Sequence, residues 1–179
     1  MTGTAKQIGV AKGMAFSMTI CFSAIISSIY FDPFSLSRVI DVQGRIEILA
    51  ISTILPTLFL FLSIGRMARY RFFNPDEIDG SALTKGSKKA LVLQSLIQNT
   101  LEQTILVLAV YAAWCFLMPA STLSVVLICS ILFALGRIMF FRGYERGAAA
   151  RAVGFALTFY STALMFLSLI VYQLWRLFL

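Results

Sequence analysis

Residues 90–118 read ALVLQSLIQNTLEQTILVLAVYAAWCFLM, and this stretch decides the fold. It exceeds the ~20 apolar residues that a helix needs to cross a hydrocarbon core about 30 Å thick. Yet it carries Ser95, Asn99 and Glu102 at spacings of four and three, with Gln98 and Gln103 beside them. That spacing places the three on one face of a helix. Arg137 poses the same puzzle inside the apolar run 121–141. A charged side chain near the middle of a membrane helix costs roughly 2.5–3.5 kcal/mol on insertion scales. Such residues persist where they face a protein interior and pair with something polar.

Outward from this stretch, the rest of the chain is equally apolar. Of its 179 residues, 59% are hydrophobic and 13% charged, and the mean hydropathy is +0.87. A soluble domain is about one quarter charged, so the composition predicts an integral, all-α membrane protein. Apolar stretches at approximately 13–31, 47–65, 90–118, 121–141 and 152–175 predict five transmembrane helices. In lipid each must satisfy its own backbone, which a helix does. There is no histidine, and Cys21, Cys115 and Cys129 lie in apolar runs without metal-ligand spacing. A metal centre is therefore not expected, and the thiols read as packing residues. No G-x-G-x-x-G or G-x-x-x-x-G-K-[ST] phosphate loop occurs.

The net charge of +7 is distributed by topology. With five helices, one side of the membrane holds 11 basic residues: Lys6, Lys12, Arg66, Arg69, Arg71, Lys85, Lys88, Lys89, Arg142, Arg146 and Arg151. The other side holds three, namely Arg38, Arg45 and Arg176. This bias predicts a cytoplasmic N-terminus and a periplasmic C-terminus. Anionic lipid, rather than nucleic acid, is the partner it implies. Tyr30, Trp114, Tyr172 and Trp175 all fall near the predicted outer interface. The first apolar stretch is longer than a signal-peptide core and lacks an A-x-A-like cleavage site, so it reads as a membrane helix. Within it, Gly9, Gly13 and Ser17 recur every fourth position, a spacing compatible with a close-packing face and with chance. A bacterial inner membrane is the plainest expected location.

Charge bias gathers Asn99, Glu102, Arg137, Tyr144, Arg146 and Arg151 in the basic half of the membrane. One reading makes Glu102 and Arg137 a structural ion pair, with Asn99 bonding across helices. The other is a cationic, hydrogen-bonding pocket for an anion. Arg137, Arg142, Arg146 and Arg151 outnumber Glu102 and Glu145, which favours the pocket.

At these same residues the chain resembles the MAPEG family, the membrane-associated proteins in eicosanoid and glutathione metabolism. Asn99-Thr100-Leu101-Glu102 is similar to the family's N-x-x-E. Gly136-Arg137-Ile138-Met139-Phe140-Phe141-Arg142-Gly143-Tyr144, followed by Arg151 and Gly154, is similar to its G-R…G-Y…R pattern. The likeness covers roughly residues 47–178, in the manner of a divergent bacterial member. It divides the chain into residues 1–46, an additional N-terminal transmembrane helix with its outer loop, and residues 47–179, a MAPEG-like four-helix domain.

The resemblance implies a homotrimer binding glutathione between subunits near the cytosolic face. Asn99, Glu102, Arg137, Tyr144 and Arg146 would contact the tripeptide. Arg151 would be the catalytic arginine that activates its thiol. A lipophilic second substrate would arrive from the bilayer, and glutathione transferase-like or peroxidase-like chemistry would follow without a metal. Three positions depart from the family: Ser95 stands where an arginine is common, and Gln103 and Phe140 stand where tyrosines are common. These departures motivate an alternative, a non-catalytic lipid-binding or partner-binding module on the same fold. A small transporter or channel ranks lowest, because the polar residues gather in one leaflet.

Overall fold

The computed structural model describes residues 3–80, 83 and 86–178. Ser81 and Lys85, part of the basic connection, lie outside the described residues. Among the described residues there are five long helices and no strand: α1 (Gly3–Phe31), α2 (Val42–Phe72), α3 (Lys88–Leu117), α4 (Ser124–Gly143) and α5 (Ala148–Leu177). Each is long and apolar enough to cross a membrane. α1, α2 and α5 start earlier or run on further than the apolar windows by several residues, while α3 and α4 stay within three residues of theirs. The backbone ladder continues past the hydrocarbon edge until a cap or turn residue stops it. Asp41 caps α2 by accepting from Gly44 N at 2.8 Å, and Ser87 caps α3 by accepting from Ala90 N at 3.1 Å.

The helices alternate in direction, and α4 is the most buried span. α4 packs most extensively on α5 and also on α2, while α2 pairs with α3 and α1 lies against α5 and α4. Pro56 within α2 removes the N–H that would bond the carbonyl of Ser52. Ser130 of α4 donates to that carbonyl at 2.6 Å. The proline thus leaves an acceptor that a neighbouring helix uses, which in lipid is how a broken ladder is repaired.

The stripe at Gly9, Gly13 and Ser17 is a close-packing face. α1 and α5 run parallel, and the buried residues of α1 are Gly13, Ser17, Cys21, Ile25 and Ser28. Ser17 Oγ donates to the Val153 carbonyl at 3.1 Å, and Cys21 Sγ donates to that of Leu157 at 3.5 Å. Trp114 is not an interface residue facing lipid. It is 1% exposed, and its indole N–H donates to the Thr122 carbonyl at 3.1 Å. It stands near the α3 end, as its position in the sequence implies, but the α3–α4 turn folds back over it.

At the end opposite the basic cluster, two polar pins join the helices. Arg45 Nη1 donates to the carbonyls of Cys115 and Met118 at the end of α3. Asp32 Oδ1 accepts from Leu36 N and Ser124 Oγ, and Oδ2 accepts from Ser37 N. Burial by itself would raise the Asp32 carboxyl pKa, but these donors outweigh it and hold the group at about 2, against an ordinary 3.8. The folded pKa is the lower one, so the contribution is present above pH ~4 and disappears as pH falls towards 2. Thermal unfolding followed between pH 5 and 2 should therefore show the Asp32→Asn protein losing less Tm than the native one. Parallel losses would disprove the clamp.

Candidate functional site

The site is built where α3, α4 and α5 meet in the basic half of the bundle. Arg137 is 0% exposed. Its Nη1 donates to Asn99 Oδ1 on α3 at 2.8 Å, and its Nη2 donates to Thr158 Oγ1 on α5. Its guanidinium carbon lies 4.6 Å from the Phe140 ring centroid and 5.6 Å from that of Phe133. Nε is buried without a hydrogen-bond partner. Among the described residues, the groups that receive this cation are thus neutral oxygens and aromatic faces.

The Glu102–Arg137 ion pair of the structural reading does not form. Glu102 is exposed on the edge of α3, where its carboxylate accepts from Gln98 Nε2 at 2.8 Å. Three residues turn a helix by roughly 300°, which leaves Asn99 and Glu102 about 60° apart around the axis. Asn99 points into the α3–α4 seam, and Glu102 falls outside it. Ser95 does not supply the site either, since its hydroxyl donates to the Leu91 carbonyl of its own helix at 2.9 Å. Gln103 is buried on another face, with Oε1 unpartnered.

An open cleft of about 330 Å³ lies in front of this core, lined by Val10, Asn99, Phe140, Tyr144, Ala148, Arg151, Ala152 and Phe155. The structure therefore brings Asn99, Tyr144 and Arg151 together. It sets Arg137 one layer behind them and leaves Glu102 and the exposed Arg146 out of the lining. Arg146 ends a short 3-10 turn, Tyr144–Arg146, that directs Tyr144 towards the cleft and its own side chain to the surface. The Arg151 guanidinium carbon sits 4.5 Å from the Tyr144 ring centroid, a cation–π contact that restrains both.

Two consequences follow for chemistry. Asn99 gives its carbonyl oxygen to Arg137, so its amide N–H₂ remains to donate to an occupant of the cleft. Arg137 and Arg151 together make the surroundings cationic, and low-dielectric walls strengthen that field.

Sequence reasoning missed Thr158, Val10, Phe155, Ala148 and Ala152. Thr158 had a signal, because it lies seven residues, two helical turns, after Arg151 on the helix that faces Arg137. Val10 had none, since nothing local links α1 to this cleft.

Five helices long and apolar enough to cross a membrane define an integral membrane protein of the small helical-bundle class. A family model described as the MAPEG family matches residues 47–171. That span runs from α2 to near the end of α5, and the chain belongs to the MAPEG family. No match to the chain was found among curated proteins or among solved structures.

Proposed function

We propose that this protein binds glutathione in the Asn99–Tyr144–Arg151 cleft, as one subunit of a homotrimer, and uses the thiolate against lipophilic electrophiles. The observation that carries this reading is the arrangement around Arg137. A buried cation held by neutral oxygens fixes an amide donor beside a second arginine, in an opening of ligand size. At about 330 Å³ the cleft falls at the small end of the roughly 300–1,000 Å³ typical of small-molecule sites.

Glutathione is anionic overall, which suits the cationic lining, and Arg151 can pair with a carboxylate or lie beside the thiol. A free thiol with pKa near ~8.5 is only a few per cent ionised at pH 7. A guanidinium next to sulfur favours the anion, and a shift of two units is worth about 2.7 kcal/mol. The proton leaves to water. The sulfur electron pair then forms a C–S bond as a leaving group departs. With a hydroperoxide, the thiolate instead attacks the terminal oxygen, the O–O bond breaks and the alkoxide leaves as the alcohol; a second glutathione then displaces water from the sulfenic acid to give the disulfide. The charge bias favours a site that faces the cytosol, and a bacterial inner membrane is the location that goes with this reading.

In proteoliposomes at pH 7, wild-type protein should conjugate glutathione to a hydrophobic chloronitroarene, and Arg151→Ala should be slower by roughly twenty-five-fold, since a two-unit shift from ~8.5 takes the thiol from about 3% to about three-quarters ionised. Equal rates in both, or no rate above empty liposomes, would remove the proposal.

A second reading is a non-catalytic MAPEG module binding a lipid or partner. It is favoured by the positions of Glu102 and Arg146 outside the cleft, which leave fewer contacts for a tripeptide. Ultraviolet difference spectra decide between the two, because a thiolate band on adding glutathione contradicts the passive module.

A further inference from the structure

The cleft has a wall that the family region does not supply. α1 lies outside residues 47–171, yet Val10 of α1 lines the cleft beside Ala148, Ala152 and Phe155 of α5. The approach is set by small residues in register. A Cβ on Gly9 would meet the Ala149 Cβ at 3.0 Å, and one on Gly13 would meet the Ala152 Cβ and Val153 Cγ2 at 3.2 Å. One and two turns further on, Ser17 and Cys21 bond the carbonyls of Val153 and Leu157. These contacts fix the height and rotation of α1 on α5 over several turns. Val10, next to Gly9, is thereby held at the mouth of the cleft rather than turned to lipid.

The lining divides by chemistry. Asn99, Tyr144 and Arg151 form a polar side that attracts an anion. Val10, Phe140 and Phe155, with the alanines 148 and 152 between them, form an apolar side. Both alanines stop at Cβ, so the room left on the apolar side is limited by what stands across from them, and on the α1 side that is Val10.

We infer that Val10 is a specificity-determining residue: α1 closes one side of the cleft, and Val10 sets the size of the apolar group accepted beside the anion-binding side. The inference rests on the cleft being the ligand site, as proposed above, but its test does not require glutathione chemistry. The ligand class it implies is an amphiphile, or an anion and an apolar molecule bound side by side.

The test uses thiol labelling of the full chain in nanodiscs. The native cysteines Cys21, Cys115 and Cys129 are each 0% exposed, so the unsubstituted protein is the blank. With rates expressed relative to a free thiol in water, a Val10→Cys protein should react several-fold faster with an anionic methanethiosulfonate than with a cationic one, and the added substitution Arg151→Gln should reduce that preference. Equal relative rates, absence of labelling, or a preference undiminished by Arg151→Gln would overturn the placement of Val10.

The size claim is read at Ala148→Cys with a compact and a bulky anionic thiosulfonate. Adding Val10→Trp should slow the bulky reagent about tenfold more than the compact one, and Val10→Ala should narrow the native difference. Equal slowing of both reagents would overturn the size claim. Circular dichroism and gel filtration confirm that each variant remains folded. If wild-type protein shows no glutathione conjugation, the functional reading falls while the labelling result still decides the role of α1.

Discussion

Replacing Gly154 with valine is expected to prevent α4 and α5 from closing on each other. A Cβ at Gly154 would fall on the backbone nitrogen of Phe140, and would lie 2.7 Å from the Gly136 carbonyl oxygen and 2.8 Å from the Met139 carbonyl carbon. Across the seam, a Cβ at Gly136 would lie 2.8 Å from the Gly154 carbonyl oxygen, and one at Gly143 would fall on the Ala150 carbonyl. The obstructing atoms are main chain, which cannot rotate aside as a flexible side chain would. Overpacking costs typically ~1–3 kcal/mol where neighbours can shift, and more where they cannot. Gly154→Val should therefore cost about 3 kcal/mol or more, with Gly154→Ala intermediate. Gly65→Ala is the control. Nothing lies within 4 Å of a Cβ there, and alanine gains up to ~1 kcal/mol over glycine in a helix. Tm in detergent checks the series, and a native Tm for Gly154→Val would show that the seam is looser than described. The same seam holds the Arg137–Thr158 bond, so ligand binding should fall with Tm.

Replacing Arg137 with methionine is expected to separate stability from function. Burying a guanidinium costs several kcal/mol unless it is well paired, and its hydrogen bonds here go to the neutral Asn99 and Thr158 side chains. Methionine fills much of the same volume without charge. Thr158 Oγ1 keeps partners in its own helix, the carbonyls of Phe155 at 2.8 Å and Gly154 at 3.2 Å. The ligand-free Arg137→Met protein should therefore hold its Tm or gain. Arg137→Ala, which leaves a cavity, should lose Tm. Anion binding should weaken in both, because Asn99 loses the bond that orients its amide and the cleft loses a buried positive charge. Hydrogen bonds to charged groups are worth ~1.5–3 kcal/mol, so glutathione affinity should fall roughly tenfold to a hundredfold. Isothermal titration in nanodiscs checks this, and unchanged affinity in Arg137→Met would remove Arg137 from the site.

Much of this architecture was legible because membrane helices advertise themselves. The composition and the five apolar runs specify the spans, and the Lys/Arg bias groups Asn99, Arg137, Tyr144 and Arg151 towards one end. The residues that escaped prediction share a physical cause. Glu102 and Asn99 are three positions apart, and the 60° between them is enough for one to enter a seam and the other to leave it. Trp114 stands at a helix end, where interface and core placements look alike until the next turn is folded. Arg146 shares a 3-10 turn with Tyr144, and the direction of that turn decides which of the two reaches the cleft.

The sequence by itself determined an all-helical membrane protein, its spans, its basic end and its MAPEG likeness. Each of these follows from local hydrophobicity, from charge, or from residues close together in the chain. The tertiary structure alone decided that Arg137 is shared between Asn99 and Thr158, that Glu102 stands aside, and that Val10 of α1 walls the cleft. These partnerships join residues up to 145 positions apart, and they depend on how each helix is rotated and at what depth it packs, which no local pattern encodes.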